Sequence, residues 1–297
     1  MKIGFIGIGI MGGLMAANLQ AQGHELVIYN RTKSKTDNLV AKGAVIASSP
    51  ADVAHQSNII FTMLPHPEAV ETVALGTEGF LNALNGNSFW IDCSTVNPSF
   101  AQKMAKSAAQ NQVNYIDAPV AGSKNQAEQK ELVFLVGANK AHLNSCESLL
   151  KCMGKKVVHV GEPGMGNALK LVFNLLLGIS MAGFAEAMIL GEALGISQNM
   201  LLDILVGSPV VSPYMKDKKD KLAKSHYDPE FPLQWMQKDL QMVAIAGYKN
   251  QVPLPLANAT KEIYQQAIQQ GLGQQDFTAI YDFWRSTSKD WANSDKT

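Results

Sequence analysis

The chain has 297 residues, 46% of them hydrophobic, which is enough for two domains and a large core. Lys+Arg and Asp+Glu both number 25, so a net charge of zero gives no support for nucleic-acid or membrane-surface partners, and neither is expected. The three cysteines, Cys93, Cys146 and Cys152, show no metal spacing; with an apolar strand at the very start leaving no room for a signal peptide, they point to a reducing, cytoplasmic setting without a metal.

Residues 2–6 form an apolar strand. Gly7, Gly9 and Gly12 follow as GxGxxG, with Ile10 and Met11 between them, and residues 14–19 continue as a helix. In this strand–turn–helix context the glycines predict a dinucleotide site: a tight turn, close approach to a pyrophosphate, and free N–H groups at a helix start. The next strand, residues 25–29, ends at Asn30-Arg31-Thr32. An NAD site usually has a carboxylate here for the ribose 2′-hydroxyl. Neutral Asn30 followed by Arg31, with Lys33 and Lys35 close by, favours the 2′-phosphate of NADP(H) over NAD(H); the alternative is a solvated basic turn.

Further strands are expected at 44–46, 58–63, 89–92, 114–117, 132–136 and 156–160. Alternation of apolar runs with helical patterns predicts a doubly wound, largely parallel α/β sheet of the Rossmann type over residues 1–163. Ligands in such sheets lie at the carboxyl ends of the strands, which places Met63-Leu64 and Thr95 near a cofactor. Thr95 reads equally well as a turn residue. Asp117-Ala118-Pro119-Val120-Ala121-Gly122-Ser123 is either a turn presenting N–H groups to a carboxylate or a plain loop.

Beyond Gly164 strand signals fade, and residues 164–297 are expected to form an all-helical substrate and oligomerisation domain joined by a long helix over about 167–194, with Gly195 as its C-cap. Residues 171–190 are apolar enough for a membrane span, but Asn174 and Glu186 interrupt them, so a helix buried inside the helical domain is expected. Lys170 and Asn174, four residues apart, share a helical face and present an ammonium and an amide to one spot; desolvation would suit such a lysine to proton transfer. The competing reading is a lysine extending from a helix end to water. Gly161, Gly164 and Gly166 are expected to let the chain pass close to something bulky. Phe231-Pro232-Leu233 and the Lys238-Asp239 pair either close a site or belong to a solvated helix face.

In order along residues 2–285, four features resemble the β-hydroxyacid dehydrogenase family: the glycine fingerprint, the Asp-Ala-Pro-Val turn, the Gly-x-x-Gly-x-Gly-x-x-x-Lys-x-x-x-Asn run from Gly161 to Asn174, and Lys238-Asp239-Leu240. Asn30-Arg31-Thr32, Gly122-Ser123-Lys124, residues 201–205 and Phe231-Pro232-Leu233 resemble its glyoxylate/succinic semialdehyde reductase branch. The resemblance implies an NADPH-dependent reductase of small carboxylate-bearing aldehydes. Lys170 would be catalytic and Asn174 would hold substrate. Gly122 and Ser123 would lie in the substrate turn, with Phe231 and Asp239 bordering the pocket. Thr95 and Lys238 would contact the cofactor near a nicotinamide held in the interdomain cleft, and Met63 and Leu64 would line its path.

The chain departs from the family at Ala121, where serine is usual. The lost hydroxyl contact leaves room for a bulkier or less polar substrate than the usual small 3-hydroxy acids. A 3-hydroxyisobutyrate or tartronate semialdehyde (2-hydroxy-3-oxopropionate) dehydrogenase shares every motif. A phosphosugar acid dehydrogenase is disfavoured by Phe173 where histidine is usual. A catalytically silent NADP-binding sensor or scaffold remains the reading from another class. A homodimer or homotetramer is expected.

Overall fold

The computed structural model describes residues 1–294, with side chains described through Thr287. The chain divides into two compact units, Met1–Leu171 and a second from Val172 onward.

The first unit is built on one sheet: β1 (Lys2–Ile6), β2 (Glu25–Tyr29), β3 (Val45–Ile46), β4 (Ile59–Thr62), β5 (Phe89–Asp92), β6 (Asn114–Asp117), β7 (Val120–Ala121), β8 (Leu132–Gly137) and β9 (Gly154–Gly161). Its order is β3-β2-β1-β4-β5-β6-β8-β7, with β9 beside β8. The run from β3 to β6 is parallel, while β8 meets β6 and β7 antiparallel. The 3-2-1-4-5-6 order reverses between β1 and β4, the place where doubly wound sheets bind ligands. Strand β7 was not among the expected strands. Its two residues lie within the Asp117–Ser123 stretch that was read as a turn or a loop.

The central strands are apolar because both faces of the sheet are covered. Phe61, Ile91 and Ile116 lie side by side in the register and enter one core cluster; their neighbours Ile60, Trp90 and Tyr115 enter the other. The two-residue repeat thus divides the core cleanly. Helices α1 (Ile10–Ala21), α2 (Asp37–Val40), α3 (Pro50–Gln56), α4 (Pro67–Leu75), α5 (Pro98–Gln110), α6 (Lys124–Glu128) and α7 (Lys140–Lys151) accompany the strands.

Helix α8 (Met165–Ala193) is the long helix, and the division between the two compact units falls inside it, after Leu171. The second unit continues as α9 (Gln198–Leu205), α10 (Met215–Lys224), α11 (Leu233–Lys249), α12 (Pro255–Gln269) and α13 (Ile280–Ser294). Its core takes Met181, Phe184, Ala185 and Met188 from α8, an i, i+3, i+4, i+7 stripe. The opposite face of α8 leaves Val172, Phe173, Leu176 and Leu190 exposed. The helix expected to lie buried inside the helical domain is thus buried along one face. By length and composition α8 alone among the described residues is long and apolar enough to cross a membrane.

Candidate active site

The glycine turn has the geometry its sequence requires. Gly7 has φ +101°, and a Cβ there would lie 2.3 Å from the Met63 carbonyl oxygen; a Cβ on Gly12 would lie 2.0 Å from the Gly7 carbonyl oxygen. Neither position tolerates a side chain, because helix, turn and strand end pack backbone to backbone. Around Gly9 the space is open. Gly9 caps α1 without a side-chain hydrogen bond, and the first turn holds no acidic residue. The opening N–H groups of α1, on Ile10, Met11 and Gly12, therefore present a positive helix end. An open cradle with uncapped amides fits the pyrophosphate of a pyridine dinucleotide.

At the end of β2, the Asn30 side chain accepts from the Ile8 N–H at 2.9 Å and donates to the Thr32 carbonyl at 2.7 Å. It braces the glycine turn, a role that its place in the sequence did not suggest. Arg31 and Thr32 are exposed, as are Lys33 and Lys35.

The ends of β4 and β5 are tied by Asp92, which is wholly buried. Its Oδ1 accepts from Thr62 Oγ1 at 2.8 Å and from the Ser94 N–H at 3.0 Å. Ser94 Oγ in turn accepts from the Leu64 N–H at 2.9 Å. Burial pushes the Asp92 carboxyl above its ordinary range, against the pull of these donors. The network sets the backbone of Met63-Leu64 beside that of Ser94-Thr95; Met63, Leu64 and Thr95 are themselves half-buried.

Asp117, at the end of β6, is also fully buried. Its Oδ1 accepts from the Gly164 N–H at 2.7 Å, and its Oδ2 from the Asn167 N–H at 2.9 Å and Asn167 Nδ2 at 3.3 Å. Asn167 Oδ1 accepts from the Val96 N–H at 2.9 Å. Desolvation pushes the Asp117 carboxyl up to about 6 despite its donors. The glycines before Lys170 find their reason here. A Cβ on Gly166 would lie 2.3 Å from the Leu135 carbonyl oxygen and 2.9 Å from Asp117 Oδ2; one on Gly164 would lie 2.9 Å from the Pro98 carbonyl oxygen. The bulky neighbour expected at Gly164 and Gly166 is thus the protein's own backbone. The helix starts at Met165, two residues earlier than expected, because Asp117 caps it from the sheet. Lys170 stands in the second turn, half-buried.

In the turn after β6, Gly122 has φ +125°. Its Ser123 N–H, expected to face a carboxylate, donates to Gln126 Oε1 at 2.9 Å, and Ser123 Oγ donates to the same oxygen at 2.8 Å. The two residues close the start of α6 on itself. Ala121 sits in β7, paired with Val133.

In the second unit, Asn174 and Asp239 are buried and hydrogen-bonded, Asn174 Nδ2 donating to Asp239 Oδ2. Lys238 Nζ lies 3.0 Å from Asp239 Oδ1. The Lys238-Asp239 pair is therefore no solvated helix face. A carboxylate only accepts, so it dictates that the Asn174 amide turns its NH2 toward Asp239. Phe231 is half-buried, its ring 5.7 Å from that of Phe277. Its backbone N–H donates to Asp276 Oδ2 at 3.3 Å, and Asp276 also accepts from Lys218 Nζ at 3.3 Å and Thr278 Oγ1 at 2.8 Å. Asp276 and Lys218 were absent from the sequence-based expectations. Among the described residues no cluster of His, Cys, Asp and Glu has metal-site geometry.

Known proteins share this architecture. Residues 2–161 match the family model described as the NAD binding domain of 6-phosphogluconate dehydrogenase. Residues 164–284 match that described as NAD-binding of NADP-dependent 3-hydroxyisobutyrate dehydrogenase. The chain is 38% identical to the 2-(hydroxymethyl)glutarate dehydrogenase of Eubacterium barkeri, over 96% of this chain and 95% of that one. It is 35% identical to glyoxylate/succinic semialdehyde reductase 1 of Arabidopsis thaliana, over 94% and 97% of the two chains. The solved structure of Mycobacterium tuberculosis 3-hydroxyisobutyrate dehydrogenase with L-serine superimposes with a TM-score of 0.84 at 27% identity, covering 96% of this chain and 99% of that one. With both halves matched in order and relatives aligned almost end to end, the chain belongs to the β-hydroxyacid dehydrogenase family of NAD(P)-dependent oxidoreductases.

Proposed function

We propose that the protein is an NADPH-dependent reductase of carboxylate-bearing aldehydes, with Lys170 as proton donor. The observation that carries this reading is the placement of Lys170 and Asn174, one turn apart on α8, with the Asn174 amide turned by buried Asp239. The reduced nicotinamide, when bound, supplies the hydride. Lys170 Nζ gives its proton to the carbonyl oxygen as negative charge develops there, and its positive field stabilises that charge. Asn174 keeps one N–H and its carbonyl oxygen for the substrate, since its other N–H is held by Asp239. Arg31, with Lys33 and Lys35, supplies the positive charge that a 2′-phosphate needs, and no carboxylate opposes it at position 30.

Ala121 removes a hydroxyl from the substrate turn and favours the larger substrates of this class, such as succinic semialdehyde, over glyoxylate. The first-named relative's substrate, a branched dicarboxylic hydroxy acid, agrees with that direction. The exposed apolar face of α8 supports assembly into a homo-oligomer.

The test is NADPH oxidation with glyoxylate, succinic semialdehyde, methylmalonate semialdehyde and 2-formylglutarate, for the natural chain and for Lys170→Ala. The variant is expected to lose about 10²–10⁴-fold in kcat, with NADPH affinity nearly unchanged by fluorescence titration. Near-normal turnover in Lys170→Ala removes the assignment. Tight NADPH binding without turnover on any aldehyde favours a silent sensor.

A further inference from the structure

We propose that Asp117 and Asn167 are positioning residues that set the place of Lys170 relative to the strand ends; this rests on the assignment of Lys170 as proton donor. Helix α8 starts at Met165, and the residue before it, Gly164, has no side chain with which to cap it. The N–H groups of Gly164 and Asn167 are the pair that a local capping box would satisfy. Both donate instead to one carboxylate at the end of β6, far back in the chain. The start of the helix is thereby pinned to the sheet rather than to its own first turn.

The same carboxylate reaches a third segment. Asn167 Nδ2 donates to Asp117 Oδ2 while its Oδ1 accepts from the N–H of Val96, the residue after Thr95. Asp117 itself opens the turn that carries Gly122 and Ser123. The Thr95–Val96 backbone, the substrate turn and the start of α8 are therefore joined through two side chains, all within the first unit. Lys170 follows Asn167 by three residues, just under one helical turn.

Plain capping does not call for this arrangement. Serine or asparagine caps a helix at no cost in buried charge. Here the carboxylate is fully buried, and room is cleared for it on two sides: a Cβ on Gly137 would stand 2.4 Å from Asp117 Oδ1, and one on Gly166 would stand 2.9 Å from Oδ2. Only a group with two accepting oxygens and no donor takes all three N–H bonds at once. Asparagine at position 117 would turn an NH2 toward one of the amides. A misplacement of about 1 Å in a reacting group costs on the order of 10²-fold in rate.

The experiment compares Asp117→Asn and Asn167→Ala with the natural chain. Four quantities are read: kcat and KM for the best aldehyde, NADPH Kd by fluorescence titration, the deuterium isotope effect with 4-deuterated NADPH, and amide hydrogen exchange. Asp117→Asn is expected to lower kcat by about 10–100-fold. KM and NADPH Kd should stay within about twofold, the isotope effect should rise as chemistry becomes limiting, and exchange should quicken over residues 164–170 only. Asn167→Ala leaves both backbone amides on Asp117 and removes the two side-chain bonds that join Asp117 Oδ2 to the Val96 N–H; a kcat loss of about 3–10-fold at unchanged NADPH Kd is expected. If Asp117→Asn does not fold, Asn167→Ala decides alone. Normal kcat in the folded variants, or a loss of NADPH affinity parallel to the loss of kcat, overturns the proposal. Lys170→Ala run alongside separates the two ideas. If it is inactive while both positioning variants turn over normally, this inference falls alone; if it is active, both fall.

Discussion

Asn30 stands where a carboxylate would select the ribose hydroxyl, and its amide is engaged at both ends, the oxygen accepting from Ile8 in the glycine turn and the NH2 donating to the Thr32 carbonyl. On the function proposed above, selection between the two cofactors falls to its exposed neighbour Arg31. Reversing that charge is the sharpest residue-scale test. Arg31→Glu is expected to raise the Kd for NADPH by about tenfold or more and to change that for NADH much less. Titrating nucleotide fluorescence with both cofactors measures this, and equal weakening of the two removes the argument for a 2′-phosphate. Gly7 and Gly12 were legible as a pair because their steric demands are local and recur at a set spacing. Asn30 was legible only as the absence of a charge. Its bracing of Ile8 depends on strands β1 and β2 lying side by side, which no residue near Asn30 announces.

Among the elements, α8 and the segment before α11 show how a helix start is held from elsewhere. Asp276 gathers the Glu230 and Phe231 N–H groups, Lys218 Nζ and the Thr278 hydroxyl while wholly buried. Lys218 also donates to Glu230 Oε2 at 2.8 Å, so the cluster keeps charge paired with charge. Breaking such a network leaves a buried ammonium short of a partner. Asp276→Ala is expected to cost about 3 kcal/mol of stability, read from the denaturant midpoint. It should also raise KM for the aldehyde by freeing Phe231, while NADPH Kd holds. An unchanged midpoint would show that the cluster carries no net stability. Helix existence and period were readable from apolar spacing. Helix beginnings were not: α8 follows Gly164, with no Ser, Thr or Asp to mark its start, and its cap lies at the end of β6. The Lys238-Asp239 pair was ambiguous for the same reason, since a charged dipeptide reads alike on a wet face and against a buried Asn174.

For the whole molecule, the apolar residues left outside are as informative as the cores. Val172, Phe173, Leu176 and Leu190 on α8, with Leu194 and Ile196 just beyond it, are all exposed. A face of this kind on a chain with no net charge is expected to pair with a second copy. Leu176→Glu with Leu190→Glu should shift the mass measured by light scattering from an oligomer to the 32.1 kDa chain; a natural chain already monomeric at micromolar concentration counts against the pairing.

The two-part plan, the strands of the Rossmann sheet other than β7 and the order of the motifs followed from the residues alone, because hydrophobic period, glycine spacing and chain order are local or one-dimensional properties. The sequence by itself also marked Lys170 and Asn174 as neighbours, since one helical turn is a local distance. Only the tertiary structure decided that Asp117 and Asn167 hold the start of that helix, that Asp239 turns the Asn174 amide, and that Gln126 occupies the Ser123 N–H. Each depends on where a buried polar group finds its partner. A group cut off from water must take whichever donor or acceptor the packed chain brings within about 3 Å, and in the first two cases that partner comes from a distant segment.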